Sequence, residues 1–179
     1  ALGDPGALAP HAAGTLDARG AAIAPGFIDI HTHYDAQVFW DRMLTISPWH
    51  GVTTVVVGNC GFGVAPTRPG DRDLMLRTLE QVEGMSLDAL RAGLGPVWPF
   101  EHFGEFLGAI ESRGTAIHVG SFIGHTPVRT YVMGTDACER EATEGEIAQM
   151  RALVAGALRD GALGFATSKA PTHVGYGGK

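Results

Sequence analysis

The stretch Pro25-Gly26-Phe27-Ile28-Asp29-Ile30-His31-Thr32-His33-Tyr34-Asp35 runs from a turn into a short apolar strand and ends in two histidines spaced i, i+2. Side chains on a strand alternate faces, so His31 and His33 project to one side, about 6–7 Å apart at Cα. That spacing lets two imidazoles converge on one metal ion at about 2.0–2.1 Å. A divalent ion is a route to activating water at neutral pH, so the stretch points to a hydrolase.

Around it, apolar strand-like runs recur at Gly26–His31, Thr53–Gly58, Ala116–Ile123 and Ala162–Thr167. They are nearly continuous, as expected of parallel strands buried on both faces. Helical stretches lie between them. Asp71–Glu83 carries Leu74, Met75, Thr78, Leu79 and Val82 on one stripe, and Glu101–Ser112 carries Phe103, Phe106, Leu107 and Ile110. A third helix starts at Thr143, with Glu146 completing a capping box, and Gly161 ends it. The alternation is that of βαβ units, whose crossovers are right-handed. A (β/α)₈ barrel takes about 250 residues, so four such units make the first half of one. A self-sufficient four-stranded α/β sheet is the alternative.

Each polar cluster falls at the C-terminal end of an expected strand. His31 and His33 close the first, Cys60 follows the second, Gly124-His125 closes the third, and Ser168-Lys169 follows the fourth. In barrels and open parallel sheets alike, that edge carries the site. Cys60 stands in Gly58-Asn59-Cys60-Gly61-Phe62-Gly63, a loop rather than a core element. It can be a buried small hydrophobe, a thiolate ligand beside the two imidazoles, or a nucleophile paired with histidine.

The bulk properties fit a folded enzyme. Of 179 residues, 45% are hydrophobic and 18% charged, which excludes a disordered chain. The net charge is −6 and the basic residues are scattered, so no nucleic-acid surface is expected. No apolar run reaches about 18 residues, so no membrane partner is expected. Two cysteines make no disulfide framework, and a reducing, cytoplasmic setting is expected.

Three segments together resemble a known family: APGFIDIHTHYDAQ at Ala24–Gln37, GVTTVVVGNCGFGVAP at Gly51–Pro66, and Gly124-His125-Thr126-Pro127-Val128-Arg129. They are similar to the N-acyl-D-amino-acid deacylases (D-aminoacylases) of the metal-dependent amidohydrolase superfamily, from about Thr15 onward. The pairing of HTHYDAQ with GNCG carries the resemblance, since HxH alone suggests only the superfamily.

The resemblance implies several things. The family's strand-1 histidines correspond to His31 and His33. Its metal-bridging cysteine, in place of the carboxylated lysine of related enzymes, corresponds to Cys60. Residues 1–23 correspond to a remnant of a small N-terminal β-sandwich with its linker, and residues 24–179 to barrel strands 1–4. Two further histidine ligands and a catalytic aspartate belong to strands 5, 6 and 8, so no catalytic residue is expected in this chain. The chain is expected to be an N-terminal fragment, inactive alone. The implied reaction is hydrolysis of the amide bond of an N-acyl-D-amino acid, giving a carboxylate and a D-amino acid. Cysteine with histidine favours zinc over magnesium, as one or two ions.

Four more residues are pocket or outer-layer candidates. Asp35 is expected to orient a ligand, because metal-bound histidine needs an acceptor behind it. His125 reads equally as a pocket or as a structural histidine, Ser168 is a candidate for the pocket, and Lys169 reads as a loop or substrate-facing cation, with a metal-bridging carboxylated lysine as its lesser reading. His173 is placed at the pocket mouth, while His11, His50, His102 and His118 default to structure or solvent. Two rival functions stay open: an amidohydrolase of the dihydroorotase or hydantoinase kind acting on cyclic amides, and a non-catalytic metal-binding α/β module.

Overall fold

Pairing between neighbouring parallel strands organises the computed structural model, which describes residues 13, 14 and 16–169. Strands β1 (Phe27–Thr32), β2 (Val52–Val57) and β3 (His118–Ser121) lie side by side in that order, all parallel. After Phe122 the chain continues as β4 (Ile123–Gly124), which pairs in parallel with β5 (Phe165–Ala166). The expected single strand over Ala116–Ile123 is therefore two. The break has a local cause: Phe122 N still donates to Val57 O at 3.0 Å, whereas Ile123 N donates to Gly164 O at 3.0 Å. The chain exchanges one neighbour for the other at that residue. Overall the four expected strands occur in their expected order, as consecutive βα units of a barrel are arranged.

Helices α1 (Arg72–Glu83), α2 (Leu87–Leu94), α3 (Phe103–Arg113), α4 (His125–Met133) and α5 (Glu144–Asp160) fill the connections. Two of them, α2 and α4, have no counterpart in the sequence expectations. Ser86 caps α2 by accepting from Ala89 N at 3.3 Å, but Gly93 dilutes its periodicity. Helix α4 starts directly where β4 ends, with Pro127 in its first turn, where a missing N–H breaks no helical bond. The α5 cap is as expected: Thr143 Oγ1 accepts from Glu146 N, and the Glu146 carboxylate accepts from Thr143 N at 2.7 Å. Among the described residues no helix is long and apolar enough to cross a membrane.

The core lies between the sheet and the helices, with Val128 of α4 and Ala157 of α5 joining residues of α1 to α3. Phe106 is buried at 2% exposure, with Phe100 at 5.3 Å and Phe39 and Phe103 at 6.0 Å between ring centroids. Val55, Val56 and Val57 of β2 are buried, as expected of a central strand. β1 departs from the expectation of burial on both faces: Phe27, Ile28 and Ile30 are 63–69% exposed. Among the described residues it has a strand on one side only, and none of them covers its apolar side chains. Most of the 1–23 segment, together with His11 and His173, lies outside the described residues.

Two stability predictions follow from this packing. Phe106→Ala empties a buried aromatic site and is expected to lower the unfolding free energy by about 3–5 kcal/mol, read by denaturant titration. At α5, the Arg140 guanidinium first, and then the Thr143 N–H, hold the Glu146 carboxyl down to about 2. Its folded value is thus below its ordinary 4.5, so its contribution is complete above that pH and fades as pH falls toward 2. Glu146→Gln is expected to flatten this acid slope, and Thr143→Ala to cost about 1 kcal/mol; thermal melts across the acid range check both.

Candidate metal centre

Because β1 and β2 are parallel, their carboxyl ends share one edge of the sheet. In register, Thr32 pairs with Val57, so His33 and the turn holding Cys60 both emerge just past the last pair. The ligating atoms of His31, His33 and Cys60 all lie within 4.8 Å of one another. His31 is exposed, His33 half-buried and Cys60 buried. The two imidazoles stack at 5.4 Å between centroids and 28° between planes. The structure thus brings together the three residues expected as ligands. The two cysteines are not joined in a disulfide: Cys60 is buried and Cys138 exposed.

Two residues that sequence reasoning did not single out fix this geometry. Thr32, between the histidines, faces the opposite way and is buried; its hydroxyl donates to Val56 O at 3.0 Å. Asn59, beside the cysteine, donates its side-chain amide to Ile30 O at 2.8 Å. Each ties β1 to β2 within one or two residues of a candidate ligand. The alternation of HTH signals that the middle residue faces away, but nothing local reveals what it meets there.

The four pocket candidates are placed differently. Asp35 is buried at 5% exposure, and burial pushes its carboxyl up to about 7, opposed by its own backbone N–H. Its side chain lies close to Gly63, at the far end of the cysteine loop. His125 opens α4, and its Nδ1 lies 3.2 Å from Thr167 Oγ1. Half-burial, then the positive charge of Arg129, lowers the affinity of His125 for a proton. His125 and Ser168 line a cavity of about 380 Å³, with Cys60, Phe62, Leu74 and Arg129 also among its walls; Asp35 is not part of that lining. Lys169 is exposed and outside both the three-residue cluster and the lining of this cavity. Of the histidines assigned to structure, His102 stands at the N-cap of α3, where its backbone N–H donates to Glu105 at 2.9 Å.

A thiol and two imidazoles converging at an accessible sheet edge form a donor set suited to zinc. The partial exposure of both histidines leaves one side of the cluster open.

The chain is similar to proteins of known structure and activity. A D-aminoacylase of Alcaligenes xylosoxydans xylosoxydans is 35% identical over 167 residues, covering 93% of this chain and 31% of that protein. A solved crystal structure of D-aminoacylase, described as defining a novel subset of amidohydrolases, matches with a TM-score of 0.62 at 34% identity. That match covers 83% of this chain and 28% of the other. An N-acyl-D-glutamate deacylase from Bordetella bronchiseptica, solved with zinc and a phosphonate mimic of the tetrahedral intermediate, matches at TM-score 0.57 and 28% identity. It covers 80% of this chain and 27% of the other. The chain thus spans less than a third of the length of these relatives. Its α/β architecture matches the D-aminoacylase fold, consistent with part of a barrel. Residues 14–176 match the amidohydrolase family as a whole, and the chain belongs to that family.

Proposed function

We propose that this chain supplies part of the active site of a zinc-dependent hydrolase that cleaves the amide bond of N-acyl-D-amino acids. The observation that carries this reading is the convergence of His31, His33 and Cys60 within 4.8 Å at the carboxyl edge of a parallel sheet. The resemblance to D-aminoacylase, and to a deacylase solved with zinc, supports the choice of reaction and metal.

In this reading His31, His33 and Cys60 hold the ion. When bound, zinc supplies Lewis acidity that polarises a carbonyl oxygen and makes water acidic near neutral pH. The remaining work falls to the protein. Thr32 and Asn59 keep the histidine strand and the cysteine turn in register through their bonds to Val56 and Ile30. Asp35, buried behind the cysteine loop, offers a carboxyl of raised proton affinity that orients groups there by hydrogen bonding. The cavity of about 380 Å³ beside Cys60 gives a small substrate a partly desolvated place to lie, with the neutral His125 on its wall. The proton-transferring aspartate and the pockets for the acyl group and D-side chain belong to parts of the protein beyond this chain.

Metal titration tests the reading. The chain is expected to bind cobalt(II) with a near-ultraviolet thiolate-to-metal band, displaced by zinc. Cys60→Ala should abolish the band and His33→Ala should weaken binding, whereas Lys169→Ala should leave both unchanged. A Lys169 variant that loses metal while Cys60→Ala retains it would favour the carboxylated-lysine chemistry of the cyclic amidohydrolases instead. In the complete protein, Cys60→Ala or chelation is expected to abolish release of D-amino acid from N-acyl-D-amino acids.

A further inference from the structure

The turn that carries Cys60 is held on more than its β1 side. It closes through Gly61 N donating to Gly58 O at 3.1 Å, and Gly61 then wedges between two other strand ends. On one side its carbonyl accepts from Thr126 N, at the start of α4, at 2.9 Å. The approach is tight: a Cβ at Gly124 would stand 2.5 Å from that same carbonyl oxygen. On the other side Gly61, at φ +90°, backs onto the end of β5. A Cβ there would stand 2.9 Å from Thr167 Cα and 3.2 Å from Ala166 O. Only glycine fits such a conformation and such contacts.

The two flanking segments are also joined to each other. His125 Nδ1 lies 3.2 Å from Thr167 Oγ1, and the His125 ring meets Phe165 edge-on at 6.1 Å. Contacts therefore form a closed ring: the cysteine turn on α4, α4 on β5, and β5 back on the cysteine turn. A ligand borne on a glycine-flanked turn needs such support, since its own backbone has the freedom to move it.

We propose that His125 and Thr167 are positioning residues for the Cys60 thiolate. Their hydrogen bond clamps the end of β5 to the start of α4, and so holds Gly61, and with it Cys60 Sγ, at the distance from His31 and His33 that one ion needs. This rests on the metal reading above. A neutral imidazole suits the role, because its Nδ1 accepts a hydrogen bond from the Thr167 hydroxyl while Nε2 keeps its hydrogen. The positive end of the α4 dipole favours that neutral form, as do the half-burial of the ring and the neighbouring Arg129. β5 contributes no ligand of its own, yet on this account it sets the position of one contributed by β2.

The test is cobalt(II) and zinc titration of the chain, with far-ultraviolet circular dichroism as a check on folding. Thr167→Val keeps the branched shape and removes the hydroxyl; Thr167→Ser keeps the hydroxyl. Thr167→Val is expected to weaken zinc binding about 10-fold, at the lower end of the range for outer-layer partners of metal ligands, and to dim the thiolate band. Thr167→Ser is expected to retain both, and His125→Ala to match Thr167→Val. The double variant should lose no more than either single one, since both remove the same bond. An unchanged affinity and band in Thr167→Val, or an equal loss in Thr167→Ser, overturns the clamp. A wild-type chain that binds cobalt without any thiolate band overturns the metal reading itself, and the clamp with it.

Discussion

Parallel pairing of β1 with β2 is the constraint on which the rest depends. Two parallel strands must end at the same edge of their sheet, however long the connection between them. Here a connection of some twenty residues returns the chain so that Thr32 stands opposite Val57, and the residues just beyond each strand meet. An antiparallel pair with the same sequences would put His33 and Cys60 at opposite edges. The ligand cluster is thus a consequence of topology first and of side-chain choice second.

Topology alone does not place atoms to within hydrogen-bond tolerance. The β1–β2 ladder is irregular, with register shifts between Phe27 and Ile28 and again between Asp29 and Thr32. A slip of one residue would turn both histidines to the other face. Side chains supply what the ladder lacks. Thr32 bonds to Val56 O from inside the sheet, and Asn59 bonds to Ile30 O from the turn. A threonine between two histidines therefore has a purpose of its own: its face is the one that must be anchored so that theirs can stay open.

What the sequence makes legible follows the range of the interactions involved. The HxH alternation, the glycine-bounded cysteine turn and the Thr143–Glu146 capping box are all local, and each appears in the fold as expected; the apolar runs do form strands, but the fourth is shortened to Phe165–Ala166. The division of the third strand at Phe122 is not local, because it arises from neighbours that bond at different heights on its two sides. Helix α4 is hidden for a similar reason: Gly124-His125 does end a strand, and the helix begins with no loop between them. The exposure of Ile28 and Ile30 runs against their apolarity, since composition predicts a buried strand but cannot say what stands beside it. Asn59 and Thr167 are ordinary polar residues until the fold shows what they hold.

The contrast between Cys60 and Lys169 turns on solvation. Lys169 is exposed and stands outside the three-residue cluster. Cys60 is 7% exposed, and a thiolate buried to that degree carries a heavy desolvation penalty unless a positive charge lies against it. On the metal reading, a divalent ion shared with His31 and His33 supplies that charge where it is needed, so ionisation of the thiol and occupancy of the site become one equilibrium. Burial of Cys60, which by itself suggests an inert core thiol, is then what makes the thiol a conditional ligand. On that reading its anion is costly when buried, and is stabilised when the partners that converge on it from β1 hold the same ion.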